Sequence, residues 1–202
     1  MVGRFLFKDR DGRTPLPEEW KKDLVPKQKH IKLGGELDEA EEENITDGMV
    51  WLDDYSGEYV DVLFWKKAHK KLFNRVWKWA GEFRQHELAN DDFNHPGLIQ
   101  ENIKKLEGDL KFWLSEAAKI NHKESMARFH ERFLTIHPFS NGNGRITRIL
   151  TEYISKRKAL AAPTWGQSLS GNAKAHRQIY ISAVVKARCD HDFSELIKFM
   201  YG

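Results

Sequence analysis

Cysteine is almost missing from this chain: Cys189 is the single one in 202 residues. One thiol excludes an internal disulfide framework and any cysteine-based zinc cluster, and it points to a reducing compartment. Long apolar runs are missing too. The longest are four residues (Met49–Leu52, Val62–Trp65 and Ala159–Ala162), against about 20 for a membrane span. Near the N-terminus Phe5, Leu6 and Phe7 give way at once to Lys8, Asp9, Arg10 and Asp11, too short an apolar stretch for a signal peptide. A cytoplasmic location with no membrane partner is therefore expected. Charge of one sign is scarce as well, since 33 basic and 30 acidic residues leave a net charge of +3. Basic groups such as Lys66–Lys71, Arg128 and Arg132 are diluted by the acidic residues, so nucleic acid is not an expected partner. No internal repeat or low-complexity tract appears.

What is present is ample material for a core. Apolar residues make up 40%, with twelve Phe, seven Trp and five Tyr. Pro15, Pro17 and Pro26 break up residues 1–35, which read as an irregular N-terminal extension closed by Gly34-Gly35. Trp20, Leu24 and Ile31 are candidates to pin it to the main body of residues 36–202. Six of the eight residues from Glu36 to Glu43 are acidic, which suits a helix N-terminus. Apolar spacings of three and four predict helices over 61–79, 98–114, 123–135, from Asn143 onward, over 172–186 and over 193–201. Residues 83–96 lack that period and read as a loop or short hairpin. About seven helices with little strand make an all-α domain.

One segment concentrates chemistry: His137-Pro138-Phe139-Ser140-Asn141-Gly142-Asn143-Gly144-Arg145-Ile146-Thr147-Arg148. Two glycines bracket Asn143 just before an amphipathic helix, so backbone N–H groups can converge on one point beside the helix's positive end. Arg145 and Arg148 are three apart on the first turns. Together they form a cradle for an anion of more than one charge, and a di- or triphosphate suits it better than a carboxylate. His137 at the rim has a titration range suited to proton abstraction near neutral pH. Asn141 offers a neutral oxygen to a phosphate-bound magnesium ion. A zinc-hydrolase arrangement is excluded by spacing, because His130 and His137 are seven apart with no carboxylate motif between them.

The segment resembles the signature of Fic-domain proteins, HPFx(D/E)GNGRxxR, at every specified position but one. Trp79-Ala80-Gly81-Glu82-Phe83-Arg84 is similar to the Ala-Gly-x-x-Arg element before that family's substrate-docking flap, and His69 sits where the family often has an Ile-His pair. The resemblance covers roughly residues 60–200. The N-terminal part (Arg13–Leu16, Gly35–Leu37 and Glu43–Ile45) is similar to a small bacterial subgroup called mobile mystery protein B. The resemblance implies a Fic-like helical bundle with a short β-hairpin flap, and a protein adenylyltransferase that moves AMP from ATP to a Tyr, Thr or Ser hydroxyl. His137 would then be the general base and Phe139 the buried anchor that aims it. Gly142, Asn143 and Gly144 would hold the α- and β-phosphates, Arg145 the β-phosphate and Arg148 the γ-phosphate. A target protein would dock on the flap at about residues 84–96, and a separate antitoxin-like inhibitor would fit a toxin-like role.

The departure from the signature is Asn141, which stands where the family has an acidic magnesium ligand. It leaves two alternatives to AMP transfer: a Fic-fold transferase of another phosphate-containing group, or a nucleotide-binding pseudo-enzyme. The family's inhibitory pattern, Ser/Thr-x-x-x-Glu-Gly/Asn, is met only at its end, by Glu43-Asn44, with Glu39 in the Ser/Thr place. Glu43 is therefore the candidate inhibitory residue.

Overall fold

A computed structural model describes residues 17–88, 93–167 and 172–202. The chain divides into two compact units, one of residues 1–84 with 139–142 and the other of 85–138 with 143–202.

The first unit is built on a helix pair, α2 (Gly34–Asp54) and α3 (Val62–Phe73), preceded by the short helix α1 (Glu18–Asp23) and a 3-10 turn at Pro26–Gln28. Helix α2 starts where Glu36 turns back to accept hydrogen bonds from the N–H groups of Lys32 and Leu33, at 2.8 and 3.1 Å, satisfying donors that a helix start otherwise leaves unpaired. Asp61 caps α3 by accepting from Phe64 N–H. Between the two helices the approach is close: a Cβ on Gly48 would lie 2.8 Å from the Leu72 side chain and 3.0 Å from the Lys71 carbonyl. Leu37, Leu52, Phe64, Trp65, Leu72 and Phe73 are all buried there, each contributing about 1.5–3 kcal/mol of transfer free energy.

Periodicity extends the predicted helix to residue 79, yet α3 ends at Phe73. Its end is fixed from outside the helix. Asn44 on α2 donates to the Lys71 carbonyl (3.0 Å) and accepts from Arg75 N–H (2.8 Å). Beyond it, Val25 N–H donates to the Val76 carbonyl and Lys78 N–H to the Asp23 carbonyl, at 2.9 and 3.0 Å. The chain at 76–78 thus pairs with 23–25 instead of continuing the helix. Leu24 and Ile31 are buried and Trp20 packs edge-on against Trp77, as their apolar character suggests. Within this extension Glu18–Asp23 is helical; residues 1–16 lie outside the described residues.

The second unit is helical as well: α4 (Ile99–Trp113), α5 (His122–Ile136), α6 (Asn143–Arg157), α7 (Ala173–Asp190) and α8 (Ser194–Tyr201). Helix α5 is central and packs against the other four. Met126, Phe129 and Phe133 on it are completely buried. Asn121 and Asn172 cap α5 and α7 through side-chain oxygens that accept from Lys123 and Ala175 N–H.

The chain is all-α, as expected, but the hairpin flap is not seen. Among the described residues the backbone bridges are two isolated ones, Leu24 with Trp77 and Phe83 with Phe139. Within the flap segment, residues 85–88 and 93–95 form no strand, and residues 89–92 lie outside the described residues. Its two ends bond elsewhere, Phe83 to Phe139 and Asn94 N–H to the Thr135 carbonyl at 3.1 Å. Among the described residues no helix is long and apolar enough to cross a membrane.

Candidate active site

His137 ends α5 in the left-handed region, φ 48° and ψ 58°, a conformation that costs a non-glycine residue about 1–3 kcal/mol. Its backbone N–H still closes the helix onto the Phe133 carbonyl at 3.0 Å. The ring Nδ1 lies 3.2 Å from the Leu134 carbonyl, which can only accept, so Nδ1 carries the proton. In the neutral ring this tautomer puts the lone pair on Nε2, the arrangement a general base needs. The ring of Phe93 lies against the imidazole, 3.9 Å between centroids. Phe93 in turn carries the Arg188 guanidinium over its face, and Arg188 Nε lies 3.5 Å from a Glu131 oxygen that also accepts from the Thr135 hydroxyl. Phe93 was not singled out from sequence; its only signal is a lone aromatic residue in a polar loop.

Residues 139–142 belong to the first unit. Phe139 is completely buried, and its ring stacks on His69 at 3.7 Å and 14°. His69 is a clamp with a defined tautomer. Gly81 N–H donates to Nδ1 at 2.9 Å, so the proton sits on Nε2, which donates to the Asn141 carbonyl at 3.1 Å. Gly142 follows at φ +78°, and a Cβ there would lie 2.8 Å from the Phe73 ring. Glycine is thus required by backbone conformation and by space alike. The Asn141 side-chain oxygen accepts from Gly142 N–H at 2.6 Å.

Helix α6 then begins. Asn143 is buried, and the Thr147 hydroxyl donates to its carbonyl at 2.6 Å. Gly144 is exposed, and a Cβ on it would meet nothing within 4 Å. The open space over Gly144 and the N–H groups of a 15-residue helix's first turn suit a phosphate. Arg145 and Arg148 are half-buried on that start. The Arg148 guanidinium lies over Tyr180 (4.5 Å) and Trp165 (5.5 Å) and bonds the Tyr180 side chain. Trp165 N–H donates to Glu152 at 2.6 Å, and burial raises the Glu152 carboxyl's pKa despite that bond and the nearby Arg148. Sequence reading named Arg148 but not Tyr180, Trp165 or Glu152.

Glu43 is exposed on α2 and lies 3.5 Å from Arg75, an arginine that also pairs with Asp47. The donor set fits magnesium poorly. Asn141 supplies a neutral oxygen that already accepts a backbone N–H, where hard cations favour carboxylates.

Residues 59–155 match the model of the Fic/DOC family. No curated protein sequence matches the chain. The fold is that of solved Fic domains. The N-terminal Fic domain of Bep8 from Bartonella sp. 1-1C is 18% identical, with a TM-score of 0.66 over 84% of this chain and 85% of that one. BepC from Bartonella tribocorum, solved with bound AMPPNP, is 18% identical at a TM-score of 0.64, covering 94% and 92%. A Fic domain of a Bartonella quintana effector with bound ADP is 18% identical at 0.65, covering 85% and 86%.

Proposed function

We propose, from the match of residues 59–155 to the model of the Fic/DOC family, that this chain is a protein adenylyltransferase that moves AMP from ATP to a hydroxyl of a target protein. The observation that carries the reading is His137, held left-handed at the end of α5 with Nδ1–H on the Leu134 carbonyl and its base lone pair on Nε2. Solved relatives with bound AMPPNP and ADP support a nucleotide as the donor.

Nε2 of His137 takes the proton from the target hydroxyl, whose oxygen attacks the α-phosphorus of ATP. The bond from the α-phosphorus to the bridging oxygen breaks, and pyrophosphate leaves. Negative charge grows on the departing phosphates, where the N–H groups at the start of α6, Asn143, Arg145 and Arg148 stand ready to stabilise it. Phe139 stacks on His69, whose imidazole bonds the Asn141 carbonyl, so residues 139–142 are fixed before substrate arrives. Calorimetry with ATP, beside transfer of α-phosphate label to protein in cell lysate, tests the reading. His137→Ala should keep ATP binding and lose transfer by about 10²–10⁴; equal labelling by the variant would refute the role of His137.

Asn141 favours a second reading, a nucleotide-binding protein with weak or no turnover. That reading predicts ATP binding without label in the wild type, and label in Asn141→Asp.

A further inference from the structure

Helix α6 presents Arg148, and behind it lies a buried chain of polar groups that the proposed chemistry does not use. His130 on α5 is completely buried. Its Nε2 lies 2.8 Å from the Tyr180 hydroxyl on α7, and its Nδ1 lies 3.4 Å from the Thr151 hydroxyl on α6. The direction of every bond can be worked out. Thr151 has one hydroxyl proton, and it goes to the Thr147 carbonyl at 2.7 Å. Towards His130, Thr151 can therefore only accept, so Nδ1 carries a proton. In the neutral ring Nε2 is then an acceptor, and the Tyr180 hydroxyl must donate to it. That leaves the oxygen of Tyr180 with lone pairs, and the group that bonds it there is the Arg148 guanidinium.

From this we propose that Tyr180 and His130 are positioning residues that fix Arg148 for the terminal phosphate of a nucleoside triphosphate, and so set the preference for triphosphate over monophosphate ligands. The proposal rests on the reading of Arg148 as a phosphate ligand. Were the tyrosine proton turned the other way, it would face a guanidinium that only donates; His130 as a fixed acceptor prevents that. The electrostatics agree. Burial, and then the charge of Arg148, hold the His130 pKa well below its usual value, while burial raises that of Tyr180. The ring of Tyr180 and the ring of Trp165 meanwhile confine the guanidinium plane. Tyr180 and His130 are 50 residues apart in sequence, yet the polarity of the chain from Thr151 to Arg148 is defined at each link.

The test compares ATP and AMP binding by calorimetry on the full chain. Tyr180→Phe keeps the ring and removes the hydroxyl. A hydrogen bond to a charged group is lost from the γ-phosphate side only, so ATP affinity should fall about tenfold or more with AMP affinity unchanged within about twofold. His130→Ala should show the same selective loss. His130→Gln, which keeps an acceptor for the tyrosine proton, should recover most of the affinity. Nitrogen-15 correlation spectra should show the wild-type His130 ring protonated on Nδ1, a signature independent of activity. Equal ATP affinity in Tyr180→Phe, parallel loss of ATP and AMP, or a ring protonated on Nε2 would overturn the relay. Failure of the wild type to bind ATP at all would instead overturn the phosphate reading of Arg148.

Discussion

Substituting His69 by Phe isolates the clamp beneath the signature loop. Phenylalanine preserves the ring that stacks on Phe139 at 3.7 Å, and it removes both hydrogen bonds of the imidazole. The Gly81 N–H and the Asn141 carbonyl, now 2.9 and 3.1 Å from ring nitrogens, lose their partners. Their environments differ. Gly81 is buried, so its orphaned N–H carries a desolvation cost of about 1–3 kcal/mol. Asn141 is half-exposed, and water can replace much of what its carbonyl loses, about 0.5–1 kcal/mol net. The sum is a destabilisation of about 1.5–4 kcal/mol. Urea unfolding followed by tryptophan fluorescence measures it. Transfer activity should fall further than the folded fraction does, because the Asn141 carbonyl no longer fixes the approach to Gly142. A variant within about 0.5 kcal/mol of the wild type, with full activity, would refute the clamp.

Other consequences follow from the same geometry. Gly142→Ala forces a side chain to φ +78° and 2.8 Å from the Phe73 ring; strain and overpacking together should cost about 2–5 kcal/mol in urea unfolding, and a loss under 1 kcal/mol would contradict the local structure. His130 should make the protein acid-sensitive. Its folded pKa lies well below 6.5 through burial and then Arg148, so the unfolded chain binds the extra proton and stability rises with pH. That contribution is complete above about pH 6.5 and fades below it at about 1.4 kcal/mol per unit until the folded value is reached. Between pH 7.5 and 5.5 the wild type should therefore lose about 1.4 kcal/mol more than His130→Gln; identical losses would refute the buried neutral ring.

Local pattern carried most of the helices. Spacings of three and four placed α4, α5 and α8 within a residue of their observed ends, and the start of α6 at Asn143, because each has one broad buried face. The end of α3 was not legible, since the groups that stop it, Asn44 and the 23–25 segment, arrive from far along the chain. The site divides in the same way. His137, Phe139, Gly142, Asn143, Gly144, Arg145 and Arg148 are contiguous and were readable as one motif. Phe93, Tyr180, Trp165 and the bonding of His130 are set by packing between segments 30 to 50 residues apart, and no local spacing encodes them. Glu43 matched half of a motif, and the structure pairs it with Arg75.

The central claim is that His137 directs a hydroxyl to the α-phosphorus of ATP. Parallel incubations with ATP labelled at the α- or the γ-phosphate, each with wild type and His137→Ala, test it most directly. The account predicts protein label from the α-phosphate alone, an added mass of one adenylyl group, and neither with His137→Ala. Label from the γ-phosphate, or α-label that survives without His137, would contradict it.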